Sequence, residues 1–197
     1  MHHVSFSQAI QAFDQANAQD PNSVRWQGTD WPKELLYAHR MSECLESFEP
    51  DATEALRLAV RCQHIRRWEI PRSSYPDGKK GYYAWRNELK RFHGEAAAEI
   101  LTSVGYDDEM VAKVQKLLNK EQLKKNPDTQ TLEDVICLVF LQYYLGEFAE
   151  QHADEKVVDI LRKTWRKMSL KGQERAKTIA FPSPLGQLVI AAISAPS

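Results

Sequence analysis

The run Val135-Ile136-Cys137-Leu138-Val139-Phe140-Leu141 decides the fold class. It lies inside a helical pattern from about Thr131 to His152 that is apolar nearly all round. A helix with no polar face belongs in the middle of a bundle. On its C-terminal side the spacing predicts helices over about Asp154 to Met168 and Lys171 to Ala180, with a short apolar helix after Pro184. The residues from Ser194 onward are expected to fray. On its N-terminal side the lysine-rich segment Lys120 to Pro127 reads as an exposed connection. A helix begun by Asp107 precedes it, with Met110, Val111 and Val114 turned inward.

Further upstream the same periodicity continues. A long helix is expected from about Gly81 to Val104, with Trp85, Leu89, Phe92, Ala96 and Ile100 as its apolar stripe and Gly105 at its end. Another is expected from Thr53 to about Arg67. An earlier one opens at Trp31-Pro32 with Asp30 as its cap and a stripe of Leu35, Leu36, Cys44, Leu45 and Phe48. The first runs from about Ser5 to Ala18 and is stopped by Asp20-Pro21-Asn22. No convincing alternating strand is present. The expectation is an all-α, single-domain helical bundle of about seven to nine helices over residues 1–197.

Bulk numbers narrow the function. The chain has 197 residues, 43% of them hydrophobic and 27% charged, with a net charge of −1. That balance argues against a general nucleic-acid coat or a membrane-surface protein. No apolar run approaches the roughly 20 residues of a membrane helix. The N-terminus lacks a charged region followed by an apolar one, so no signal peptide is expected. Cys44, Cys62 and Cys137 have no CxxC spacing and read as reduced structural thiols, so a cytoplasmic location is expected. The motifs GxxxxGK[ST], GxGxxG and GxSxG are absent, which excludes P-loop, Rossmann and nucleophile-elbow chemistry.

Positive charge is concentrated between Arg61 and Arg91. Nine Lys/Arg face three acids there, a local charge of +6. Tyr75, Tyr82, Tyr83, Trp68 and Trp85 are interleaved with the cations, around a loop that carries Pro71, Pro76, Gly78 and Gly81. Cations beside flat rings suit a phosphate attached to a base or sugar. Arg66, Lys79 and Arg86 are the candidate phosphate ligands, with Tyr75 and Trp85 as stacking partners. Arg67 and Arg72 would neutralise charge on a reacting phosphate, and Glu69 is the candidate general base.

Four ionisable residues fall on faces that should be apolar. His39 follows Leu35 and Leu36, His64 follows Leu56 and Val60, and His93 follows Leu89. Asp134 opens the row of Leu138, Leu141 and Leu145. A buried carboxylate needs a charged or hydrogen-bonding partner. His39, His64, His93 and Asp134 could serve one another, or could hold a divalent metal, with Mn, Mg, Fe and Zn all compatible with such mixed ligands. Each also has a packing role open to it: a histidine satisfied inside the core, or a capping box from Thr131 to Asp134.

Several runs resemble the uncharacterised domain-of-unknown-function family 4202. They are Gln63 to Trp68, Ile70 to Pro76, Gly81 to Arg86, Gln130 to Val135 and Lys163 to Ser169. That resemblance covers nearly the whole chain and implies no activity. The order His39, His64, Asp134 is also similar in architecture to HD-domain phosphohydrolases, which bind a divalent metal through histidines and aspartates. The likeness departs at the histidine-aspartate pair, because Ile65 follows His64; His93 or Glu69 would have to supply that ligand. The reading that follows is a metal-dependent phosphohydrolase acting on a nucleotide or related phosphoester. The alternatives are a non-catalytic protein that binds RNA, tRNA or a phospho-ligand, and a helical scaffold. A second basic cluster, Arg162, Lys163, Arg166, Lys167, Lys171, Arg175 and Lys177, would extend an RNA surface.

Overall fold

The computed structural model describes residues 2–194, and all absences below refer to those residues. The fold is predominantly helical, with ten α-helices and one small β-hairpin. Its residues gather into two compact units that divide between Gln122 and Leu123. The division falls inside the lysine-rich connection, where Lys120, Gln122 and Lys124 all take left-handed backbone angles.

The first unit starts with α1 (His2–Asn17) and then departs from the sequence reading. Ser23–Trp26 (β1) and Thr29–Pro32 (β2) pair antiparallel, with Val24 opposite Trp31 and Arg25 opposite Asp30. Gln27 and Gly28 both have positive φ, as the tight turn of such a hairpin requires. The strands are four residues long and mostly exposed, so they leave no buried alternation to read in the sequence. Asp30, expected as a helix cap, instead pairs with Arg25 at 3.2 Å.

Helix α2 (Lys33–Phe48) follows directly. Asp20, from the preceding loop, accepts a hydrogen bond from the Glu34 N–H at 3.0 Å, so the cap comes from a distance. Helix α3 (Glu54–Arg61) is capped by Thr53 and is shorter than expected. Beyond Cys62 the chain tightens, and Arg66 adopts φ 51° with its N–H held by Asn17 Oδ1 at 3.0 Å. His64 therefore sits on a turn, not on a continuing helical stripe. Helix α4 (Gly78–Ser103) and α5 (Asp108–Leu118) complete the unit. Helix α3 packs on α1, α2 and α5, and α4 packs on α1 and α5. Phe13, Met41, Leu56, Leu58, Ile65, Leu89, Leu101 and Val114 are fully buried.

The second unit begins with α6 (Pro127–Val139), whose Asn126 cap accepts from the Thr129 N–H at 3.0 Å. The expected long helix is broken by a π-turn, Phe140–Tyr144, before α7 (Leu145–Glu150). That break raises the helix count above the expected range. Helices α8 (Asp154–Lys167), α9 (Leu170–Ala176) and α10 (Leu185–Ile193) follow. Helix α6 packs on α8 and α9, and α10 packs on α8. The Ser194 N–H closes α10 on the Ile190 carbonyl at 3.0 Å, and the expected fraying of 195–197 lies outside the described residues.

Candidate functional site

The polar centre of the first unit is built from α2, the turn after α3, and α4. Glu34 is at the first turn of α2, and its carboxylate is only 10% exposed. Its Oε2 accepts from His64 Nδ1 at 3.2 Å. On the other side of the imidazole, Arg67 Nη1 donates to His64 Nε2 at 3.1 Å. Arg67 also approaches Glu34 directly, Nε to Oε1, at 3.9 Å. The three side chains form a closed chain with His64 in the middle. Tyr37 stacks on the His64 ring at 4.0 Å and donates its hydroxyl to Gln63 at 2.9 Å. The Arg67 guanidinium lies over the Trp85 ring at 4.8 Å, and Trp85 donates its indole N–H to the Ile70 carbonyl at 2.8 Å.

His93 closes the floor. Its ring centre is 5.9 Å from that of His64. Its Nδ1 donates to the Ile65 carbonyl at 2.8 Å, which leaves Nε2 as a lone-pair acceptor. That Nε2 is fully buried and has no hydrogen-bond partner among the described residues.

The electrostatics follow from burial in a cationic surround. Burial lowers the His64 pKa well below its ordinary value, and Arg67, Arg86, Lys120 and Lys33 all push the same way. Burial, reinforced by His64, pushes His93 down to about 3. Both rings are thus neutral near pH 7. Burial also raises Glu34, against the pull of Arg67 and Lys33, and burial lowers Arg67. Four cations act on His64, and two of them, Arg67 and Lys33, act on Glu34, so the potential at the cluster is positive.

The remaining residues singled out from the sequence have partners of their own or stand beside the cluster. Arg66 and Glu69 form a half-exposed pair at 2.6 Å, so Glu69 is engaged by its own neighbour. Arg72 donates to the Tyr75 carbonyl at 2.8 Å and shapes the loop. Lys79 stands 5.9 Å from the ring of Tyr83, and both are exposed. Tyr82, also exposed, lies 6.0 Å from Trp85 and extends the aromatic ledge. Tyr75 and Arg86 are half-buried.

His39 accepts from Arg61 Nη2 at 3.0 Å, and Arg61 is clamped to Asp14 through two contacts of 2.7 Å. Asp134 belongs to the second unit. It accepts from the Ser169 N–H at 2.8 Å, from the Ser169 hydroxyl, and from Gln130 Nε2 at 3.1 Å. The structure thus brings His64 and His93 together with Arg67, Trp85 and the neighbouring Arg86, and gives His39 and Asp134 different partners. In the arrangement seen, His39 and His64 do not present Nε2 to a metal ion. Guanidinium nitrogens face Nε2 of both His39 and His64, and no group of three or more His, Cys, Asp or Glu suited to a metal occurs among the described residues.

A family profile described as a domain of unknown function, DUF4202, matches residues 7–189. The chain belongs to the DUF4202 family. Comparisons with curated proteins and with solved structures gave no match. The DUF4202 match takes in every residue of the Glu34 cluster, and it brings no activity with it. No helix among the described residues is long and apolar enough to cross a membrane.

Sequence reasoning missed Glu34, Tyr37, Gln63, Lys33 and Lys120. A signal existed for two of them. Counting three, four, seven, eleven and fourteen from Glu34 gives Tyr37, Ala38, Met41, Leu45 and Phe48, and all six are buried. The acid at the head of that row marks a carboxylate that must find a partner. Gln63, Lys33 and Lys120 carried no such signal.

Proposed function

We propose that the first unit binds a nucleotide or related phosphoester, with Arg67 as the principal phosphate ligand. The observation that carries this reading is the under-compensated guanidinium of Arg67. It is only 20% exposed, its nearest carboxylate is at 3.9 Å, and it rests on the Trp85 face. A buried arginine with spare donors suits a bidentate anion. Arg86, Lys33 and Lys120 add to the attraction. Trp85 and the exposed Tyr82 offer a surface to a base or sugar.

The test is a thermal-shift screen with nucleoside mono-, di- and triphosphates and sugar phosphates, followed by calorimetry on any hit. Arg67→Ala is expected to abolish binding, and Arg67→Lys to weaken it by about tenfold through loss of the fork geometry. If no phosphorylated compound raises the melting temperature, the reading fails.

One observation favours hydrolysis as a second reading. Glu34 fixes the tautomer of His64 that carries its proton on Nδ1, so Nε2 is the basic nitrogen. A ligand phosphate that draws Arg67 away would free Nε2 to take a proton from water. The water oxygen would bond to phosphorus as the ester P–O bond breaks, and the proton taken by Nε2 would pass to the departing oxygen. His64→Gln should then retain binding while phosphate release, followed by phosphorus NMR, stops. Unchanged release would dismiss hydrolysis and leave the binding reading in place.

A further inference from the structure

The second unit holds a cavity of about 290 Å³ that the site above does not use. That volume is near the small end of ligand pockets, about 300–1,000 Å³. Its walls are apolar side chains, among them Leu141, Leu161, Phe181, Val189 and Ile193. An apolar cavity does not hold water well, and its lining forfeits dispersion contacts while it is empty.

Helix α10 shows the deficit most clearly. Its sequence, Leu-Gly-Gln-Leu-Val-Ile-Ala-Ala-Ile, is nearly all apolar, yet Ala192 is its only buried residue, and Ile190 is 61% exposed. A molecule seated in the cavity would complete the burial of its inner face.

The polar groups at the cavity have one character. Trp165, Lys177 and Thr164 are the lining residues whose side chains can donate a hydrogen bond. No carboxylate lines it. The Lys177 ammonium reaches Glu174 at 2.6 Å, but both ends of that pair are largely exposed, so it gives way readily to another anion.

We infer that this cavity binds a small apolar carboxylic acid, a medium-length acyl chain with its carboxylate toward Lys177. Decanoate below its micellar concentration is the probe, with decanol as its neutral counterpart. Calorimetry on the full chain should show saturable binding of decanoate at one site. In a two-dimensional NMR spectrum the Trp165 indole N–H should shift on titration. Lys177→Ala should weaken decanoate by about tenfold, the size expected for a hydrogen bond to a charged group, and leave decanol unchanged.

Val189→Phe, which fills the cavity, should weaken both compounds together. If that variant fails to fold, the Lys177→Ala comparison and the Trp165 resonance still decide the matter. Absence of saturable binding overturns the inference, as does binding that neither Lys177→Ala nor the Trp165 signal registers. A concentration-dependent dimer abolished by Ile190→Glu, without decanoate binding, would assign the face to a second copy of the chain and equally overturn it. None of these outcomes bears on Arg67, so the phosphoester reading stands or falls separately.

Discussion

Arg67 donates to His64 Nε2 at 3.1 Å, so a guanidinium occupies the position from which an imidazole would ordinarily do its chemistry. Burial keeps His64 neutral, Arg67 and the other nearby cations push the same way, and the ring donates Nδ1–H to Glu34. In the arrangement seen, the Arg67 contact occupies the lone pair of Nε2 with a cationic donor. Glu34 offsets part of the positive field of Arg67 and Lys33.

The buried histidines make stability fall in acid. Burial depresses His64 and His93, while in the unfolded chain each titrates at about 6.5. The unfolded state therefore binds more protons below that value, and stability is complete above about pH 6.5 and is lost as pH falls toward the folded pKa, about 3 for His93. Each histidine contributes a slope of up to about 1.4 kcal/mol per pH unit in that window. Glu34, raised by burial, acts with the opposite sign above 4.5. Urea midpoints should fall from pH 7 to pH 5, and His93→Gln should flatten the decline by close to one proton. An unchanged slope would place His93 in contact with solvent.

Asp14 should matter to folding far more than its position on the first helix suggests. It clamps Arg61, whose side chain is only 7% exposed and whose Nη2 also donates to His39. Asp14→Ala leaves that cation without a carboxylate. Loss of one partner of a buried pair costs about 3–5 kcal/mol, and solvent reaching the half-exposed Asp14 places this case at the lower end of that range. Chemical denaturation measures it. Asp14→Ala with Arg61→Leu should recover part of the loss, since removing both charges removes the orphan.

Gly81, in the first turn of α4, leaves no room for a side chain. It lies within α4, and a Cβ there would come within 1.9 Å of the Pro76 carbonyl oxygen, which is backbone and cannot swing aside. Gly81→Ala must displace the Pro71–Pro76 loop or the first turn of α4, with an overpacking cost of about 1–3 kcal/mol. Because that turn leads into Tyr82 and Trp85, the variant should also weaken any ligand that stacks there. Gly78→Ala meets no neighbour but sits at φ +86°, so its cost is backbone strain alone and should be smaller.

Much of the helical fold was legible, because periodicity and caps are local signals. Asp107 caps α5 and Gly105 ends the preceding segment as the sequence implies. The hairpin was not legible, since its four-residue strands bury nothing on either face. The end of α3 was also hidden. Arg66 turns left-handed because Asn17, some fifty positions earlier, holds its N–H, and no local rule reports a partner at that distance. The concentration of charge and aromatic rings after Arg61 singled out Arg67, Trp85 and Arg86, and the spacing from Leu56 and Val60 singled out His64. It could not show that Glu34 would complete the set, because that pairing depends on how α2 lies against the turn.

Asp134 separates a packing role from a chemical one. Its carboxylate accepts from the Ser169 N–H and hydroxyl, and Ser169 in turn accepts from the Gly172 N–H to cap α9. A Cβ on Gly172 would come within 2.7 Å of that carboxylate. Asp134, Ser169 and Gly172 thus form one unit that fixes the start of α9. Asp134→Ala removes the acceptor and strands half-buried donors on Ser169 and Gln130, at about 1 kcal/mol. Gly172→Ala keeps the carboxylate but pushes it off Ser169, with a loss of similar size. Both variants should lower the melting temperature and loosen amide-exchange protection across α9, while leaving phosphoester affinity at Arg67 unaltered. If Asp134→Ala instead keeps full stability and abolishes ligand affinity or turnover, the aspartate acts on the ligand, and its hydrogen bonds to Ser169 and Gln130 are not its main purpose.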